Sequence, residues 1–182
     1  GPDRKLLIDC HSHFTVRGAL EVADALRELD LFWFEEPVPY ENIEGYQEVK
    51  QRCGMTLAGA ECRQLRQGFR DVMTHDMMDV IMPDVTIVGG ISELKKVADM
   101  AHAHNIPTAP HGPFGPVTIA AGVQTMLAHP GFMILEYAWG EVPWRHDLIT
   151  PPETIRNSRV VPSELPGLGV GLNMEVVRRL VH

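Results

Sequence analysis

The sequence predicts an α/β fold, a parallel (β/α) TIM-type barrel that is incomplete here at about six strands. Three observations predict it. Short apolar runs alternate with segments carrying apolar residues at helical spacing. Almost every run ends on an acid or a histidine. Three of those acids, Asp9, Glu35 and Glu61, follow one another at an even interval of 26 residues. Strands joined by helices at this spacing form right-handed parallel units, and their C-terminal ends open on one common mouth.

The elements follow in order. Lys5–His11 is the first strand. Arg17–Leu29 carries Ala19, Val22, Ala23, Leu26 and Leu29 as a core-facing helical stripe. Leu31–Glu35 is the second strand, halted by Pro37 and Pro39, and Glu41–Arg52 is helical with Ile43, Tyr46 and Val49 on one face. Met55–Glu61 is the third strand and Gln67–Met73 a short helix. Asp79–Asp84 is the fourth strand, and Gly89–Gly90 turns the chain into a helix over Ile91–His104. Ile106–His111 is the fifth strand, Gly115–Ala128 an apolar helix, and Met133–Tyr137 the sixth strand. Beyond Trp139 the prolines at 143, 151, 152, 162 and 166 break regular structure, and a last short helix is expected over Asn173–Val181. The expected organisation is a partial barrel over 1–140 and a tail over 141–182.

Six strands do not close an eight-stranded barrel. Either the chain is part of a longer protein, or two chains complete each other's sheets; the first account is favoured. A non-catalytic reading goes with this, in which exposed sheet edges make the chain an assembly module.

The composition, 45% hydrophobic and 22% charged, suits one well-buried domain in 182 residues. A net charge of −8 without a basic stripe argues against a nucleic-acid partner. No run is long enough to span a membrane. Cys10, Cys53 and Cys62 are odd in number and lack metal-knuckle spacing, which fits a reducing cytoplasm.

Asp9, Glu35 and Glu61 at adjacent strand ends would crowd three carboxylates together. Such a group repels itself unless a divalent cation sits among it, and Mg²⁺ matches all-oxygen ligands. Asp84 and His111 end the next two strands, and a carboxylate on one imidazole nitrogen raises the basicity of the other, making a general base. His11, two residues beyond Asp9, would share its face of the strand. Glu136 ends the sixth strand. Glu36 should point away from Glu35 and serve packing or hydrogen bonding. His13, His75, His102, His104, His129 and His146 are expected to be solvated, and Cys10 and Cys62 to pack behind the strands. Trp139 and the 140–150 loop line the pocket or simply pack. An isolated acid at a strand end is most often a cap or a surface charge, but six polar strand ends in a row are not explained by capping.

The motifs IDCH, WFEEP, AGAE, IMPD with VGG, and APHGPFGP, in this order and spacing, resemble the enolase superfamily. More narrowly they resemble its mandelate-racemase-type acid-sugar dehydratases, from about Lys5 to Glu136. The resemblance implies that Asp9, Glu35 and Glu61 are Mg²⁺ ligands and that His111, oriented by Asp84, removes the proton α to a substrate carboxylate. It further implies that His11 protonates the departing hydroxyl and that Glu136 hydrogen-bonds the enediolate or the substrate. The product would be a 2-keto-3-deoxy acid. A racemase or epimerase of the same superfamily is the alternative, with His11 as its second base. The family usually has Gly before the third ligand, where this sequence has Ala60, and it carries an N-terminal capping domain and first barrel strands that are expected to lie outside the present sequence. The expected partner is a small sugar acid, with no nucleic acid or membrane, and the full-length protein would be a homo-oligomer.

Overall fold

A computed structural model describes residues 4–181. Its centre is a four-stranded parallel sheet of β1 (Leu7–Asp9), β2 (Trp33–Glu35), β3 (Leu57–Gly59) and β4 (Val80–Ile81), ordered β1-β2-β3-β4 as in the chain. Asp9 lies opposite Glu35, and Glu35 opposite Ala58, so the acid-bearing ends are level. The helices are α1 (Val16–Leu26), α2 (Ile43–Cys53), α3 (Leu65–Thr74), α4 (Ile91–Ala103), α5 (Pro116–Met126) and α6 (Met174–Leu180). Those expected from apolar spacing are all present, with ends shifted by a few residues.

Local chemistry sets the ends. Thr15 caps α1 by accepting the Gly18 N–H at 3.2 Å, and Asn42 caps α2 through the Gly45 N–H at 2.9 Å. Gly54 ends α2 at φ 67°, the left-handed conformation that glycine adopts without steric cost.

The sheet is buried on both faces from β2 to β4, as parallel strands with near-continuous apolar sequence require. One face packs Phe34, Leu57 and Ile81 against the stripes of the helices, including Ala19, Tyr46, Phe69 and Leu94. Each such large apolar side chain contributes about 1.5–3 kcal/mol by leaving water. The other face gathers Trp33, Ala58, Val80, Met82 and Ala109.

Two expected strands are reduced. The fifth and sixth survive as single parallel bridges, Ile81 to Thr108 and Thr108 to Phe132. Proline is the physical reason: Pro107 and Pro110 have no N–H, which leaves Thr108 and Ala109 as the donors to either neighbour. The barrel is open. β1 forms one edge, with Leu6 52% exposed, and the Phe132–Ile134 segment forms the other, with Phe132 40% exposed. Among the described residues no helix is long and apolar enough to cross a membrane.

The tail holds more structure than its prolines suggest. β5 (Ile149–Thr150) pairs antiparallel with β8 (Gly171–Leu172), and β6 (Ile155–Arg156) forms a hairpin with β7 (Arg159–Val160). Asn157 and Ser158 make its two-residue turn with positive φ at both positions. A buried ion pair fastens the tail: Arg145 Nε and Nη2 donate to Glu153 at 3.0 and 3.2 Å, and Tyr137 Oη–H donates to the same carboxylate at 2.8 Å. The guanidinium lies 4.5 Å from the Tyr137 ring centroid. Arg145→Met should strand Glu153 in the interior and cost about 3–5 kcal/mol. Denaturant midpoints check this, with Glu153→Gln added as a second change to recover part of the loss. An unchanged midpoint in the single variant would remove the pair from any role in holding the tail.

Candidate active site at the strand ends

The three acids stand at the C-terminal ends of adjacent parallel strands, and each leaves its strand through left-handed backbone. His11 and Ser12 follow Asp9 at φ 50° and 57°, Glu36 follows Glu35 at φ 40°, and Ala60 precedes Glu61 at φ 77°. Non-glycine residues in this region are strained, and such residues cluster where side chains must be aimed.

Glu35 is buried on the Trp33 face of the sheet and accepts the indole N–H of Trp33 at 2.8 Å. Burial pushes its pKa up to about 8; the charges of Asp9, Glu136 and Glu61 push the same way, while the Trp33 hydrogen bond opposes. Glu61 is also raised, first by burial and then by Glu36 and Asp9, with His111 opposing. The three carboxylates therefore feel one another. They do not close on a single point: among the described residues no group of three His, Cys, Asp or Glu side chains is near enough to hold a metal ion. Asp9 and Glu35 are engaged by neighbours instead, while Glu61 is only approached by one. Asp9 accepts the His11 N–H at 2.8 Å, Glu35 turns to Trp33, and Glu61 Oε2 faces His111 Nε2 at 3.4 Å.

Asp84 and His111 meet as their spacing suggests, with Nδ1 and Oδ2 2.8 Å apart. Asp84 is 0% exposed, and its other oxygen accepts the Thr86 N–H at 2.6 Å and the Thr86 hydroxyl at 2.5 Å. Burial alone would raise the Asp84 pKa, but His111 and Thr86 outweigh it and hold the group below its ordinary value. Because this carboxylate accepts only, His111 carries its proton on Nδ1 and turns Nε2 to the mouth. Burial works against the imidazolium, yet the Asp84 hydrogen bond and the Glu61, Glu136 and Asp84 charges prevail and raise the His111 pKa. Glu136 joins this group: its Oε2 lies 3.8 Å from Nε2 and accepts the Gly112 N–H at 3.0 Å.

His11 reaches the mouth by another route than strand alternation. β1 stops at Asp9, and the left-handed turn brings His11 Nε2 to 3.3 Å from Asp9 Oδ2 with its side chain 68% exposed. Its ring lies 6.3 Å from that of His13. Cys10 packs as expected, its thiol pushed up to about 11 by burial and then by Asp9 and Glu35. Three expectations change. Cys62 is exposed instead of packing behind the strands, because it lies in the turn beyond β3 and not on the strand. His129 is not solvated; its side chain is buried, with Nε2 3.3 Å from Asp99. Trp139 is 75% exposed, so it does not pack, and its ring lies 6.2 Å from that of Tyr137.

The donor chemistry fits a hard divalent cation. All three acids present oxygen, and Glu61 Oε2 is buried with no hydrogen-bond partner.

A parallel α/β domain with its acids and histidines collected at strand C-termini has the layout of an enzyme domain. Residues 1–176 match the family model described as Enolase C-terminal domain-like. The D-xylonate dehydratase of Haloferax volcanii is 33% identical over 97% of this chain and 43% of its own length. The D-gluconate dehydratase of Thermoproteus tenax is 31% identical over 98% of this chain and 36% of its own. The crystal structure of the 3,6-anhydro-D-galactonate cycloisomerase of Zobellia galactanivorans superposes with a TM-score of 0.91 at 30% identity, covering 98% of this chain and 51% of that one. The chain belongs to the enolase C-terminal-domain family. It spans about half the length, or less, of these relatives.

Proposed function

We propose that the protein is a Mg²⁺-dependent hydro-lyase that dehydrates a sugar acid, an aldonate, to a 2-keto-3-deoxy acid. The observation that carries this reading is the buried Asp84–His111 pair, whose free Nε2 opens on the same mouth as three carboxylates. Relatives named as D-xylonate and D-gluconate dehydratases support the substrate class.

In this reading Asp9, Glu35 and Glu61 hold the cation, which, when bound, stabilises the charge that builds on the substrate carboxylate. His111 Nε2 takes the α-proton, and Asp84 holds the ring's tautomer and stabilises the imidazolium. Glu136 meets the substrate's hydroxyl groups or the enediolate from beside His111. His11 gives a proton to the β-hydroxyl, which leaves as water, and the resulting enol rearranges to the 2-keto acid. The electrons of the broken Cα–H bond become the new double bond, so no external oxidant or reductant is needed. Residues 1–140 form the barrel portion and 141–182 the tail of a protein acting in the cytoplasm.

The test is a small panel of aldonates incubated in D₂O with the protein at its natural length. Proton NMR should show loss of the α-proton signal and growth of a 2-keto-3-deoxy product for at least one substrate. Treatment with EDTA should abolish both, and added Mg²⁺ should restore them. If no aldonate exchanges its α-proton with Mg²⁺ present, the proposed chemistry is wrong.

A further inference from the structure

Glu36 stands next to Glu35 but belongs to a different environment. Its φ of 40° turns the side chain away from the mouth, and the residue is 1% exposed. Three donors converge on its carboxylate. Ser12 Oγ–H donates to Oε2 at 2.6 Å, Tyr46 Oη–H to Oε2 at 2.7 Å, and the Ala60 N–H to Oε1 at 2.6 Å. The Glu36 carbonyl also accepts the Ser12 N–H at 2.7 Å.

Each backbone attachment adjoins one acid of the mouth. Ser12 lies in the turn just beyond Asp9, Glu36 follows Glu35, and Ala60 precedes Glu61; Tyr46 anchors the set to α2. Three of the four left-handed residues that make these exits, Ser12, Glu36 and Ala60, belong to this set, and the fourth, His11, adjoins Ser12. Strained backbone persists where surrounding bonds over-determine it, and here those bonds run to one buried anion. Gly59 shows how closely the carboxylate approaches: a Cβ there would lie 2.7 Å from Glu36 Oε1.

Resting on the carboxylate metal site proposed above, we infer that Glu36 is a positioning residue, a buried anionic knot that sets Asp9, Glu35 and Glu61 relative to one another for cation binding. Three donors need an acceptor that donates nothing, which a carboxylate satisfies and an amide does not. Glu36→Gln keeps the shape but turns an NH₂ towards at least one donor.

The experiment is Mn²⁺ binding to the protein at its natural length, read by electron paramagnetic resonance of the free ion and needing no substrate. Glu36→Gln should raise the Kd about tenfold or more, as losses behind metal ligands do. Ser12→Ala and Tyr46→Phe each remove one donor and should raise it by less. Val49→Ala, a cavity in α2, serves as the control for mere loss of stability; it should lower the melting temperature and leave the Kd within about twofold. Should Glu36→Gln not fold, the Ser12 and Tyr46 variants carry the comparison. A wild-type Kd in Glu36→Gln, or in both single-donor variants, overturns the inference, as does an equal shift in Val49→Ala. Binding that Glu35→Gln abolishes but Glu36→Gln leaves intact overturns this inference alone. No binding by the wild type overturns the metal site and this inference together.

Discussion

His11→Asn should stop formation of the 2-keto-3-deoxy acid while the α-proton still exchanges with deuterium. Hydroxide is a poor leaving group and needs a proton as its bond to carbon breaks. In the proposed function His11 gives one; its side chain is 68% exposed, with Nε2 3.3 Å from Asp9 Oδ2. It stands apart from the Asp84–His111 pair, which has its own buried hydrogen bonds. In the proposed reaction, exchange depends on the pair and elimination on His11. Product loss of about 10²-fold or more with exchange retained is the expected result, read from one set of proton NMR spectra in D₂O. Product retained at the wild-type rate makes the acid role untenable. A racemase would give a different pattern: the wild type would invert its substrate without eliminating water, and the variant would lose exchange for one enantiomer only.

Asp84→Asn should lower turnover by about 10³–10⁴-fold and change KM by less than about threefold. The side chain keeps its size, and its oxygen can still accept from Thr86. Its amide, however, donates where the carboxylate accepted at 2.8 Å, so His111 must present a lone pair from Nδ1 and carry its proton on Nε2. An imidazole in that tautomer has no base to offer the substrate. Steady-state kinetics separate the two parameters. Unchanged turnover with weakened binding would contradict the role.

Much of this domain is legible in the sequence because two periodicities write it. Apolar spacing marks the helices, and the even placement of Asp9, Glu35 and Glu61 marks the strands and their common end. The pairing of Asp84 with His111 follows from the same rhythm, since adjacent parallel strands bring residues one unit apart side by side. The opposite orientation of Glu36 is legible as well, but its partners are not. Ser12 and Ala60 each lie 24 residues away, and they meet Glu36 through left-handed turns that no hydrophobic pattern encodes. Backbone donors also hide from side-chain reading. Pro107 and Pro110 fall inside the strand expected over Ile106–His111, yet their missing N–H groups cut that strand to a bridge. In the tail, Arg145 and Glu153 look like surface charges because their mutual burial depends on Tyr137.

The spatial order of the strands, identical to their order in the chain, bears on how the protein is made. Each unit docks on the one synthesised just before it, so the contacts are short in sequence, as in stacked repeats, and assembly runs vectorially. Asp9, Glu35 and Glu61 come from the first three units and His111 from the fifth. Over this stretch a nascent chain therefore gathers the three carboxylates before His111. It holds those carboxylates while the fourth unit is made, and His111 is the last of these four side chains to enter the fold.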